Sequence, residues 1–306
     1  MRKLLILILL LPFLLASDAK PADGIIHPDQ VAKSGDGSAA NPYKGWESAL
    51  EADGAVVQFR PGHYFATRTV NLHGPVDIDG KMAIIHKVSA GAAFAINGVP
   101  GSQTSEFVIR DIRIDGGDQG DVGITVGNGS GPVYSANGLL ENIGVHGFKK
   151  AGIWLQAAQI VTMMRVEAYS NGTGFLFAGS AGANTTVNSY GCRAFQNGIG
   201  VEIDMGHGLN FNGLTSESNR FEGVKIVSQG RSVRQVHFNG CWLEQNNKAR
   251  PNSKASQFSV DGEAVEGLVL EDTTFAIAGS GNQHFSLGRS TMDKRVQNLH
   301  LQSPDH

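Results

Sequence analysis

A basic excess is the first thing this 306-residue chain lacks. Its 25 Lys and Arg side chains face 28 Asp and Glu, a formal net charge of −3. That balance gives no footprint for a nucleic-acid partner, which needs cations concentrated on one face. Long apolar runs are missing too: beyond the first twenty residues nothing approaches the roughly 20 apolar residues of a membrane span. No His-x-x-x-His spacing marks a zinc site. The acids in RIDGGDQGD (Asp115, Asp118, Asp121) lack the calcium-loop pattern of an EF-hand and read as a turn. His63, His73, His86 and His146 are scattered over turns and strand ends. Glycine is plentiful, 40 residues or about 13% against a typical 7% or so, yet it follows no Gly-X-Y period, which excludes collagen.

The N-terminus has the layout of a secretory signal peptide. Arg2 and Lys3 precede an apolar run from Leu4 to Leu15, and Ser17, Asp18 and Ala19 offer small residues at a cleavage site. The run is short for a span and wrongly flanked. We therefore expect residues 1–19 to be removed and the mature chain to be secreted, periplasmic or extracellular, with no stable membrane span. Residues 20–82 are a lead-in, a capping helix and a first coil. Residues 83–306 continue the same domain as further coils.

Self-similarity decides the fold. GITV (123–126), GIWL (152–155), GFLF (174–177), GVEI (200–203) and GVKI (223–226) align. Weaker copies are AFAI (93–96), QFSV (257–260) and HFSL (284–287). Successive starts lie about 22 to 35 residues apart, and within each copy large apolar residues stand two apart, the alternation of a strand with one buried face. Ile124/Val126, Ile153/Leu155, Phe175/Phe177, Val201/Ile203, Val224/Ile226, Phe258/Val260 and Phe285/Leu287 are the inward pairs. One such strand per repeat, stacked on its counterpart, requires parallel pairing at about 4.8 Å per coil. The leucine-rich consensus is absent and the repeats are short for propeller blades. The expected fold is all-β, a single-stranded parallel β-helix of about eight or nine coils.

Between copies, Asn142, Asn188, Asn212 and Asn239 fall at or near one corner, where stacked amides would satisfy backbone groups at a bend. WESALEA (46–52) reads as a short amphipathic helix covering the N-terminal end, with Trp46, Ala49 and Leu50 on one face and a stop at Asp53 and Gly54. After Leu287 only VQNLHLQ and a polar tail remain, a weak cover that leaves an edge open to an oligomeric partner. Cys192 and Cys241 occupy matching places two coils apart, about 9.6 Å by the coil spacing. A disulfide needs Cα atoms within about 7 Å, so both are expected as free, buried thiols.

Residues 34–65, SGDGSAANPYKGWESALEADGAVVQFRPGHYF, resemble the entry segment of secreted pectin-lyase-like right-handed β-helix proteins. The matching elements are Gly35 to Ser38, Asn41 to Tyr43, Ala49-Leu50 and Pro61 to Tyr64. The resemblance implies a right-handed coil and a polysaccharide partner. It leaves the activity open among lyases, polygalacturonases, epimerases, tailspikes and non-catalytic adhesins. It also implies that a site lies on the outward face of the first strand of adjacent coils. The central outward positions are Thr125, Trp154, Leu176, Glu202, Lys225, Ser259 and Ser286. The next are Gly127, Gln156, Ala178, Asp204, Val227, Asp261 and Gly288.

A polygalacturonase-like site needs an Asp pair and a Gly-His-Gly before neighbouring strands. Here no Asp pair precedes any copy and His207 follows its strand, so this Gly-His-Gly is expected as a turn. Pectate lyases are closer in outline: carboxylates on neighbouring coils hold Ca²⁺, which neutralises the substrate's uronate, and a basic residue removes the C5 proton. That resemblance implies Lys225 and Glu202 as catalytic residues, Glu202 and Asp204 as Ca²⁺ ligands, and Trp154, Asp261 and Glu222 along the substrate. Carboxylate oxygens suit Ca²⁺, which takes six to eight. A lysine base must be held neutral by burial or neighbouring cations. A glycoside hydrolase would instead pair Glu202 with Asp204 or Glu222 and need no metal. The rival class is a β-helix that binds glycans or builds a surface assembly without catalysis. In that case Glu202–Lys225 is an exposed ion pair contributing about 0 to 1 kcal/mol. The loop NNKARPNSKAS (246–256) carries Lys248, Arg250 and Lys254 and reads as a solvated loop able to border a groove. N-terminal sequencing of the exported protein should find a start close to Lys20; a start at Met1 would show an uncleaved anchor.

Overall fold

A computed structural model describes residues 24–51, 54–97, 106–127, 135–179, 183–228, 231–248, 256–262, 264–276, 283–287, 294–297 and 300–302. The signal segment, and with it the cleavage site, lies outside the described residues, as do Arg250, Lys254 and Gly288. Among the described residues no helix is long and apolar enough to cross a membrane.

The chain is almost entirely β. Nine strands form one parallel sheet: Val70–His73, Ala92–Asn97, Val122–Val126, Ala151–Leu155, Thr173–Phe177, Ile199–Ile203, Val224–Ser228, Ser256–Gly262 and Gln283–Leu287. Eight of these strands start within two residues of an aligned copy in the sequence, and the register is the expected one. Trp154 lies between Thr125 and Leu176, and Glu202 between Leu176 and Lys225, with Ser259 following. The inward pairs from Ile124 to Val260 are all buried.

A second, eighteen-stranded sheet carries the rest of each coil. It is built from bent strands such as Phe107–Asp115 and Ser135–His146, or from two short strands separated by a tight corner, as in Ala158–Met164 and Glu167–Tyr169. The bends coincide with left-handed residues, among them Asp111, Asn142 and Arg165 with φ of 55°, 51° and 51°. A single such residue redirects the strand and switches which side chains face inward. The division drawn after residue 82 falls at a bend of this kind inside one strand, Val76–Lys87, where Lys81 and Met82 have positive φ.

Four buried asparagines lock successive coils together. Asn171 donates its backbone N–H to Asn197 Oδ1 (2.9 Å), Asn197 to Asn219 Oδ1 (2.9 Å), and Asn219 to Asn246 Oδ1 (3.1 Å). Their Nδ2 groups donate to the carbonyls of Val145, Ala168, Ala194 and Ser216. The amide ladder is therefore real, but the residues expected to form it are not the ones that do. Asn142 instead donates to Asp111, and Asn210 to Asn188 (3.0 Å). Asn212 and Asn239 are register neighbours at an outer corner. Some coils, such as the one with Asn188 and Asn197, carry asparagine at two corners, and only the corner turned into the core leaves backbone groups that water cannot reach.

The N-terminal segment also departs from expectation. Trp46 and Leu50 are buried as their spacing implies, but Glu47–Glu51 is a 3-10 helix, not an α-helix. Its tight geometry lets both carboxylates reach the first coil. Glu47 accepts from the Thr67 N–H and hydroxyl (both 2.8 Å), and Glu51 accepts from Arg68 (2.7 and 2.8 Å) and the Asn71 N–H. A short α-helix, Pro28–Val31, was not foreseen. At the other end, VQNLHLQ supplies two further strands, Lys294–Gln297 and His300–Gln302, paired parallel to the coil before them. Both cysteines are free and buried, with burial pushing each thiol pKa up, Cys241 to about 11. Replacing Asn219 by Ala strips partners from buried groups on both sides, each costing about 1 to 3 kcal/mol. Equilibrium urea unfolding should therefore show a loss of about 3 kcal/mol, and a change below 1 kcal/mol would show that the ladder is dispensable.

Candidate functional site

On the outward face of the nine-strand sheet, parallel register brings acids and bases from neighbouring coils side by side. Glu202 and Lys225 are direct cross-strand partners with Oε1 and Nζ 3.7 Å apart, both partly exposed. Asp204, two residues along from Glu202, binds Arg231, whose Nη1 lies 2.7 Å from Oδ2. Sequence reading missed Arg231. It precedes the strand Val233–Asn239, 27 residues after Asp204, and only the return of the chain around the coil brings the two together.

Aromatic and amide side chains continue the face. Trp154 is half-buried, donates from Nε1 to the Ala178 carbonyl (2.7 Å), and has the Lys150 ammonium 3.3 Å from its ring centroid. Burial lowers the Lys150 pKa, and the Asp121 charge opposes that shift. Leu176, the neighbour between Trp154 and Glu202, is only 8% exposed. Gln156 donates to the Thr125 hydroxyl (2.8 Å).

The other expected site residues are not gathered here. Asp261 is exposed and pairs in register with Val227, two coils beyond Asp204. Glu222 sits in the turn before Val224, where its carbonyl accepts from the Gly200 N–H (3.0 Å). No hydrogen bond or ion pair joins either acid to Glu202 or Asp204 among the described residues. A Ca²⁺ ion does not fit this donor set. Each carboxylate already faces a cation, and the remaining Asp204 oxygen, Oδ1, is buried without a partner but supplies one ligand where six to eight are needed. Among the described residues no group of three His, Cys, Asp or Glu side chains is placed to hold a metal.

His207 belongs elsewhere. The Gly-His-Gly is not a turn but the start of the strand Gly206–Asn212, in the second sheet, with His207 paired in register to Thr185 and Arg234. The coil is so short that the corner after Ile203 takes only Asp204 and Met205.

A second constellation lies on the second sheet, where residues that look scattered in the sequence share one outward column. Phe65, His86, Asp115, His146, Tyr169, Phe195 and Glu217 follow one another in register. Asp115 is thus the end of a strand, not part of a turn cluster. Its Oδ2 is 3.1 Å from His86 Nδ1 and its Oδ1 is 3.7 Å from His146 Nδ1. His86 Nε2 lies 2.8 Å from His63 Nδ1. The rings of His146, Tyr169 and Phe195 stack at 4.7 and 4.9 Å. One column over, Arg193 reaches Glu167 (3.2 Å) and Glu217 (4.0 Å). The hydrogen bond from His86 holds the Asp115 carboxyl below its usual pKa, assisted by the Gly117 N–H and the two histidine charges against the opposing effect of burial.

Three solved structures place the architecture. A protein of Geobacillus virus E2, ORF18, is 13% identical with a TM-score of 0.55, over 90% of this chain and 61% of that one. Pectate lyase Pel9A is 16% identical with a TM-score of 0.54, over 89% of this chain and 78% of that one. The enzymatically active domain of bacteriophage CBA120 tailspike protein 4 is 11% identical with a TM-score of 0.54, over 85% and 42%. The fold is the pectin-lyase-like parallel β-helix. This β-helix spans less than two thirds of the Geobacillus virus and tailspike protein 4 chains. No protein-family model matches its sequence, and no curated protein does.

The lowered Asp115 pKa has a sign that can be checked. A depressed carboxyl stabilises the fold fully above its unfolded pKa of about 3.9, and that contribution is lost as pH falls through the lower folded value. Asp115→Asn should therefore be less stable than the parent at pH 6, with the gap closing below about pH 4. Thermal unfolding across that range reads it; a gap that stays constant would assign the effect to packing.

Proposed function

We propose that this protein is exported and acts on an acidic polysaccharide as a uronan lyase, on the outward face of the nine-strand sheet. The observation that carries the reading is the pairing of Lys225 with Glu202 and of Arg231 with Asp204 on adjacent coils, on the same outward face as Trp154 two coils before Glu202. In this chemistry Lys225, which must first release its own proton to solvent, takes the C5 proton of a uronate. The C5 electron pair forms a C4–C5 double bond, the C4–O4 bond breaks, and the departing oxygen gains a proton. Arg231 supplies a planar cation suited to the uronate carboxylate, the role that Ca²⁺ has in pectate lyases. Glu202 then faces the lysine ammonium that forms. A pectate lyase and an enzymatically active tailspike domain among the structural neighbours support a carbohydrate-active β-helix.

A second reading, a glycan-binding β-helix without catalysis, is favoured by one specific feature. Both acids already have cations, and the Trp154 ring is covered by Lys150 instead of lying open to a sugar.

Ultraviolet absorbance separates the two, because elimination creates an unsaturated uronate that absorbs. With pectate, alginate and a glycosaminoglycan as substrates, the lyase reading expects a rise on at least one polymer that persists in EDTA. Lys225→Ala should reduce it at least about a hundredfold. Reducing ends without absorbance would indicate a hydrolase. No change in absorbance, reducing ends or C5 configuration on every polymer would leave the binding reading.

A further inference from the structure

The second sheet holds a feature that the lyase reading does not use. At its corner, where left-handed residues turn each strand, a groove of about 260 Å³ is lined by Met82, Arg113, Asn142, Gly144, Arg165 and Glu167, among others. Two of these are arginines and one is an acid, a local positive excess on a chain whose net charge is −3.

The charges differ in how they are satisfied. Arg165 donates to Glu141 (2.7 Å), and Glu167 accepts from Arg193 (3.2 Å). Arg113 is exposed and has no hydrogen-bond or ion-pair partner among the described residues. Its guanidinium lies over Gly144, its register neighbour: a Cβ at Gly144 would stand 2.8 Å from Arg113 Nη1. The groove therefore exists because residue 144 has no side chain, and the cation beside the gap has its donors unclaimed. A guanidinium presents a fork of N–H donors that matches a carboxylate in two parallel hydrogen bonds. Asn142 and Glu167 add a polar rim suited to sugar hydroxyls. Two residues further along the same strands, on the same outward face, stand Asp115, His146 and Tyr169.

We propose that this corner groove is a subsite for the carboxylate of an acidic sugar unit, with Arg113 as its anchor and Gly144 as its floor. The proposal rests on the acidic-polysaccharide reading. Its test is separable from that of the lyase because Lys225 stands on the other sheet. A uronate chain held here would keep its polymer on the protein while the opposite face is free to act.

Calorimetric titration with galacturonate and mannuronate oligomers, a heparin oligomer and neutral dextran tests it. The parent chain should bind a uronate oligomer and ignore dextran. Arg113→Ala should weaken binding about tenfold or more, equivalent to about 1.4 kcal/mol. Gly144→Ala should weaken it similarly without removing a charge. It meets only the movable end of Arg113, so thermal unfolding should show an intact fold. Binding lost in Arg113→Ala while no polymer is ever cleaved would sink the lyase reading alone. Uronate affinity unchanged in both groove variants, or no binding of any uronate oligomer, would each overturn the subsite.

Discussion

The structure depends on burying an amide at the same corner of consecutive coils. A backbone turning into the core there has N–H and C=O groups that water cannot reach, and each must find a partner. Asn171, Asn197, Asn219 and Asn246 provide it, each side chain accepting from the coil before and donating to that coil's carbonyl. A one-residue slip would break this ladder and, because strand side chains alternate, turn the apolar set outward. The glycines that follow come from the same close approach. A Cβ at Gly172 would lie 2.2 Å from the Lys149 carbonyl oxygen, and one at Gly198 2.3 Å from that of Gly172.

Once the register is fixed, the outward faces become columns. A residue's partner is then the one in the same place on the next coil, 21 to 34 residues away for the register pairs described here. Opposite charges in one column meet as Glu202 and Lys225 do, and Arg193 sits between Glu167 and Glu217. Aromatic rings in one column stack flat, as His146, Tyr169 and Phe195 do. Both charged faces of this β-helix are thus products of one rule of alignment, and both present acids already matched with cations. An acidic polymer arriving at the nine-strand sheet exchanges one set of ion pairs for another, whereas at the corner groove it meets Arg113, unpaired among the described residues.

The nine-strand sheet was legible because its inward residues are large and two apart, so Phe175 and Phe177 align with Val201 and Ile203 without ambiguity. Its outward column followed at once, Glu202 against Lys225 included. The second sheet was less legible. Its strands bend at left-handed residues such as Asn142 and Arg165, which break the alternation and shift the inward set. His63, His86 and His146 therefore looked dispersed although two of them occupy one column. The choice between asparagines failed for a related reason: Asn188 and Asn197 stand in the same coil, and burial, not residue type, selects the second. Arg231 was hidden in a connection with no repeat pattern. The N-terminal helix was recognisable by Trp46 and Leu50, but not its type, which Glu47 and Glu51 determine through contacts with the first coil.

The amide ladder also has a direction. Every backbone N–H in it points towards the coil that follows, and every Oδ1 faces the coil that precedes. A cut between any two of these coils leaves a backbone N–H and a carbonyl on the earlier piece and an amide Oδ1 and Nδ2 on the later one, so the pieces match in a single orientation. A whole coil added or removed between them leaves those faces complementary, provided the newcomer carries its own asparagine. The length of this solenoid is therefore a free variable in a way that its pitch is not.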